Sequence, residues 1–83
     1  VVDVIRGVME ELNISQEYLA RKLTGFTGRY YSQSMISKRL KSDKLVSLYE
    51  FLSIRHILEL EYKEKYGEQE HLYVNYFFKN YSS

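Results

Sequence analysis

SQEYLARKL, residues 15–23, and QSMISKRLKSDK, residues 33–44, decide how this chain is read. In the first, Ser15 is placed to cap a helix, and Ile14 before it can staple against Leu19. Glu17 falls in the first turn, where a carboxylate complements the helix dipole. Leu19, Ala20 and Leu23 recur at helical spacing and predict the buried face, with Arg21 and Lys22 turned outward. In the second, Ser32 caps a short helix over residues 33–42. Ile36 and Leu40 lie one turn apart and face inward with Met35 beside them, leaving Gln33, Ser34, Ser37, Lys38 and Lys41 on the other side.

Charge is concentrated around these two segments. From Tyr18 to Lys44 there are the cations Arg21, Lys22, Arg29, Lys38, Arg39, Lys41 and Lys44, against the single anion Asp43. The flanks compensate, so the whole chain carries only +1. A near-neutral total thus hides a basic midsection, the electrostatic footprint of a surface for phosphates.

The rest of the chain bounds the possibilities. Its 83 residues make one small domain with an appended element, with little room for a catalytic lobe. No cysteine is present, which excludes disulfides and thiolate metal sites. No apolar run is long enough for a spanning helix, and no basic-plus-apolar leader opens the sequence. The expectation is a soluble, cytoplasmic protein. His56 and His71 show no metal-ligand spacing with carboxylates. Neither a Gly-x-Ser-x-Gly turn nor a phosphate-cradling glycine loop occurs. The reading is therefore no enzyme, no cofactor and no metal.

The absence of proline, with four glycines in all, favours an all-α fold. Asp3 accepts from the free amides of a first helix carrying Val4, Ile5, Val8, Met9 and Leu12, and Asn13 ends it. Thr24-Gly25-Phe26-Thr27-Gly28 is read as a loop, with Phe26 packing over the core as its anchor. Ser42 or Asp43 caps the next segment. From Lys44 to Tyr66 the leucines 45, 48, 52 and 58 keep an apolar stripe going, on either one long helix or two with a bend near 53–55. Gly67 closes that segment. Tyr73, Val74, Phe77, Phe78 and Tyr81 then share one face of a terminal helix; a strand fits residues 69–81 less well. This aromatic face is either core or the contact of a homodimer. The domain boundaries are residues 1–66 and an extension of residues 67–83.

A capped helix with Gln16 near its start and Leu19-Ala20 after it, a glycine-containing link, and Gln33-Ser34-Met35-Ile36 opening the next helix resemble the helix-turn-helix of the Cro and phage-repressor class. The resemblance covers residues 15–44. Its turn is atypically long, since residues 25–31 would bulge out where such turns run to about four residues. It implies a helix-turn-helix bundle of four to five helices, and a repressor-like, sequence-specific regulator of phage or plasmid type. It also implies double-stranded DNA as the partner, with the helix over residues 33–42 in the major groove. Gln33 and Ser34 would then meet base edges, and Ser37, Lys38, Lys41 and Lys44 would meet bases or phosphates. Arg21, Lys22, Arg29 and Tyr31 would grip the phosphate backbone.

Two other readings stay open. The same fold can present its basic face to a host or regulatory protein and inhibit it. Gly25-x-x-Gly28 resembles the backbone clamp of KH-type RNA domains, although the strand-rich surroundings of that fold are missing; RNA binding through the tyrosines would favour single strands.

Overall fold

A helix needs something to accept its first amides, and at three of the described α-helices a serine does so. In a computed structural model that describes residues 1–67, Ser15 accepts from Tyr18 N–H at 3.0 Å and opens α2, Gln16–Thr27. Ser32 accepts from Met35 N–H at 3.2 Å and opens α3, Gln33–Arg39. Ser47 opens α4, Leu48–Tyr66, in a reciprocal box: it accepts from Glu50 N–H while the Glu50 carboxylate accepts from Ser47 N–H. The first helix, α1, Val2–Leu12, has no side-chain cap of its own. Asp3, read as that cap, instead pairs with Arg6 at 2.6 Å. The α1 amides are met from across the fold by Asp43, whose carboxylate accepts from Val2 N–H at 2.9 Å. That contact holds the Asp43 carboxyl below the usual carboxylate range. Asn13 stops α1 in the left-handed conformation, and Gly28 does the same for α2.

The described residues form an all-α domain of four helices with a 3-10 turn, Asp43–Leu45, and no strand. α2 lies between α3 and α4, and α1 packs on α4. α2 and α4 run antiparallel, since Tyr18 meets Glu61 while Phe26 meets His56. Ile5 and Val8 from α1, Leu19 and Leu23 from α2, and Ile54 and Leu58 from α4 are fully buried at the centre. Ile36 and Leu40 bring the α3 end of the chain into the same core. Fully burying a large apolar side chain stabilises by roughly 1.5–3 kcal/mol, so a domain this small rests on a handful of them.

Several expectations are corrected. Residues 24–27 do not leave the helix: α2 continues through Gly25 and stops at Gly28. A helical glycine costs about 1 kcal/mol relative to alanine, which the surrounding contacts offset. The Thr24 hydroxyl donates to Ala20 O at 2.9 Å and the Thr27 hydroxyl to Leu23 O at 2.8 Å. Phe26 is half in solvent and stacks on the His56 ring, with centroids 4.9 Å apart. The residues that lengthen the spacing between Ala20 and Ile36 are thus absorbed mostly as extra helix, leaving a short link between α2 and α3. That link is pinned: Thr24 Oγ1 accepts from Tyr31 N–H at 2.9 Å, and Thr27 Oγ1 from Arg29 N–H at 3.1 Å.

α3 ends at Arg39, short of the residue 42 read from the sequence, because Leu40 already closes it. Residues 48–66 make one helix, with no bend near 53–55. The leucine stripe of that segment is also reassigned. Leu45, Leu48 and Leu52 are exposed, while Ser53, Ile54, Ile57, Leu58 and Tyr62 turn inward. The expected terminal helix, with Tyr73, Val74, Phe77, Phe78 and Tyr81, lies outside the described residues.

Candidate nucleic-acid interface

Ile36 and Leu40, each 1 % exposed, decide how α3 is seated. With both on the inner side, Gln33, Ser34 and Lys38 fall on the outer side and are exposed, Ser37 is half-buried, and Lys41 follows exposed just past the helix. α3 and the residues just past it therefore present an amide, a hydroxyl and two ammonium groups to solvent, with the Ser37 hydroxyl half-buried beside them. The Ser32 and Ser34 hydroxyls lie 3.1 Å apart at its start. Arg29, in the link before α3, is exposed, and so is Lys44 in the 3-10 turn after it.

The other site residues read from the sequence are placed differently. Tyr31 leaves the surface set. It is 6 % exposed, and its hydroxyl donates to Glu50 Oε2 at 2.9 Å. Burial, and then the Glu50 carboxylate beside it, raise its hydroxyl above the ordinary phenol value. Arg21 and Lys22 are exposed, but they line a groove between α2 and α4 with Phe26, Leu60, Glu61 and Glu64. Lys22 Nζ lies 3.9 Å from Glu61 Oε2 and 5.5 Å from the centre of the Tyr18 ring. α2 turns Thr24 and Thr27 to the link and Lys22 to α4, so Lys22 is not gathered with the outer side of α3.

Arg39 is likewise withdrawn from the positive surface. Its Nε donates to Glu50 Oε2 at 2.8 Å, and its guanidinium lies 5.6 Å from the Tyr31 ring centre. Glu50 is thus the hub of a buried polar cluster: Tyr31 from the link, Arg39 from the end of α3 and Ser47 at the head of α4 all donate to it. Burial alone would push this carboxyl up, but the Ser47 N–H, the Tyr31 hydroxyl and the Arg39 guanidinium hold it below its ordinary value of 4.5. Sequence reading missed this cluster. The Ser47-x-x-Glu50 spacing is a capping-box signature that was open to view, but the reach of Glu50 to Tyr31 and Arg39 exists only once α4 lies beside α3. A further tie holds the same end of α3, where the Arg6 guanidinium donates to the Leu40 carbonyl. The outer side of α3 is therefore carried on an element held by Tyr31 just ahead of it and by Arg39 and Leu40 at its end.

That cluster has a measurable signature. Because the folded-state value of Glu50 is depressed, its contribution is complete above pH 4.5 and is lost as pH falls through the lower folded value. Glu50→Gln places an amide N–H₂ against one of the donors that now meet a carboxylate, which costs about 1–3 kcal/mol. Thermal melts across the acid range are expected to show the variant already destabilised at neutral pH and losing less than the parent on acidification. Parallel curves for the two would mean that Glu50 contributes nothing to the acid limb.

No group of three or more His, Asp or Glu among the described residues is placed to hold a metal ion, and no described helix is long and apolar enough to cross a membrane. No family model, curated protein or solved structure matches the chain.

Proposed function

We propose that this chain is a sequence-specific, repressor-like DNA-binding regulator of helix-turn-helix type that lays α3 in the major groove. The observation that carries the reading is the two-sidedness of α3: Ile36 and Leu40 are buried while Gln33, Ser34, Lys38 and Lys41 stay in solvent. A short link between α2 and α3 supports it, because it brings the pair nearer to the turn such motifs use. Gln33 and Ser34 read base edges. Lys38, Lys41, Lys44 and Arg29 hold phosphates, and the fixed seat of α3 lets these contacts form without first ordering a loop. Arg21 and Lys22 supply longer-range attraction rather than direct contacts.

Binding to duplex DNA over a range of salt tests this. Four phosphate contacts predict that log K falls with log salt at a slope of about −3.6. Failure to bind any duplex, including those recovered by selection from random sequence, would overturn the reading in favour of a module that docks a host or regulatory protein. Preference for single-stranded RNA would overturn it in the other direction.

A further inference from the structure

Between α2 and α4 runs an open groove of about 510 Å³. Ile57 forms its floor, and Phe26 and Leu60, 51 % and 48 % exposed, form its walls. Arg21 and Lys22 edge it on the α2 side. An apolar concavity with a charged edge is shaped to take an apolar segment. Gly25 lines the same groove from inside α2. A helical glycine is disfavoured relative to alanine, and a Cβ there would meet no atom within 4 Å. Nothing among the described residues therefore calls for a glycine at this position. The missing side chain leaves room in the groove.

What fills it is selected by where the chain leaves α4. Gly67 still donates to Lys63 O, which keeps it in helical register. Leu60, Glu64 and Gly67 thus follow at i, i+4 and i+7 on one side of the helix, and the chain passes on at the groove's edge. The φ of 95° and ψ of 165° at Gly67 are open to glycine alone, so the helix line breaks there. The sequence that follows is Glu-Gln-Glu-His and then Leu-Tyr-Val-Asn-Tyr-Phe-Phe. Leu60 and Ile57 lie about 10 and 15 Å back along α4 from Gly67. Residues 68–72 reach at most about 17 Å, so the apolar run is long enough to lie over them. Glu68 and Glu70 are opposite in charge to Arg21 and Lys22. A tethered segment meets its site at an effective concentration on the order of millimolar. A second copy or a foreign peptide has only its concentration in solution, so at equal affinity the tail takes the groove.

We infer that residues 68–83 fold back into the groove between α2 and α4, with the aromatic run of residues 72–78 seated against Phe26, Leu60 and the gap at Gly25. The tail then caps the domain on that side rather than joining two copies. The inference is independent of the DNA-binding reading, since the outer side of α3 takes no part in it.

The chain has no cysteine, so Asn75→Cys and Asn80→Cys each accept a single nitroxide, whose nearness extinguishes amide signals in spectra of the full chain. The expected result, from at least one label position, is loss of the Gly25, Phe26, Ile57 and Leu60 signals while those of Gln33, Ser34 and Lys38 persist. Nitroxide-bearing protein mixed with isotope-labelled protein that lacks the nitroxide is expected to leave every signal intact, because the contact lies within one chain. Gly25→Leu favours the helix but fills the groove, and it is expected to restore the lost signals. Leu60→Gln does the same from the opposite wall should that variant not fold. Losses centred on another face, or none with either label, would overturn the inference. So would losses in the mixed sample, which make a second copy the occupant, or losses that persist in both groove variants.

Discussion

Ile36→Lys is expected to abolish the cooperative thermal transition of the domain, leaving a far-ultraviolet spectrum without helical minima at 25 °C. Ile36 is 1 % exposed and sits where α3 meets the core. Losing its apolar burial costs roughly 1.5–3 kcal/mol. Placing an ammonium group there without a partner adds at least as much again, since Glu50 is already engaged by three donors. Domains of this size are stable by about 5–15 kcal/mol, with small ones at the lower end. The sum of the two penalties therefore consumes most or all of the stability. Lys38→Ala, on the outer side of α3, is expected to shift stability by no more than about 0.5 kcal/mol. An Ile36→Lys protein melting within a few degrees of the parent would show that α3 turns another side to the core.

The second large effect concerns binding. The double variant Lys38→Glu with Lys41→Glu is expected to lower affinity for any duplex about 100-fold at moderate salt, and to flatten the salt slope by nearly two. Both lysines are exposed and neither is held in an ion pair among the described residues, so the loss belongs to the ligand and the melting temperature stays put. Gln33→Ala provides the contrast: an amide that reads a base changes the preferred sequence while leaving the salt slope alone. Duplex binding by fluorescence anisotropy, with selection from random duplexes for each variant, separates the two classes. Equal affinity and slope in the parent and the double variant would remove α3 from the proposed contact.

How far the sequence could be read depends on whether a feature is local. Ser15 and Ser32 open their helices, and Asn13 and Gly67 end theirs, because a cap needs only a residue and its next few amides. The inward Ile36 and Leu40 were legible for the same reason: α3 has just two strongly apolar positions a turn apart. α4 was not legible in this way. Leu48, Phe51, Leu52, Ile54, Ile57, Leu58 and Leu60 surround its axis, so periodicity names no buried side, and the choice falls to what α1 and α2 present. Gly25 misled because a helical glycine is disfavoured by only about 1 kcal/mol, less than Thr24, Thr27 and Phe26 restore through their contacts. Counting cations overstated the positive surface. Tyr31 and Arg39 read as exposed by type, and only the arrival of Glu50 from α4 buries the one and half-buries the other.

The Asp43 carboxylate at the head of α1 also bears on the order in which the chain takes shape. During synthesis, Val2 emerges long before Asp43 exists to meet its amide, and an isolated helix as short as α1 is marginal in water. Its apolar side waits longer still, because α4, on which it packs, is made last among the described residues. The leading segment therefore stays unstructured on the ribosome until its distant partners arrive, and the domain closes in one late step rather than growing from its first residues.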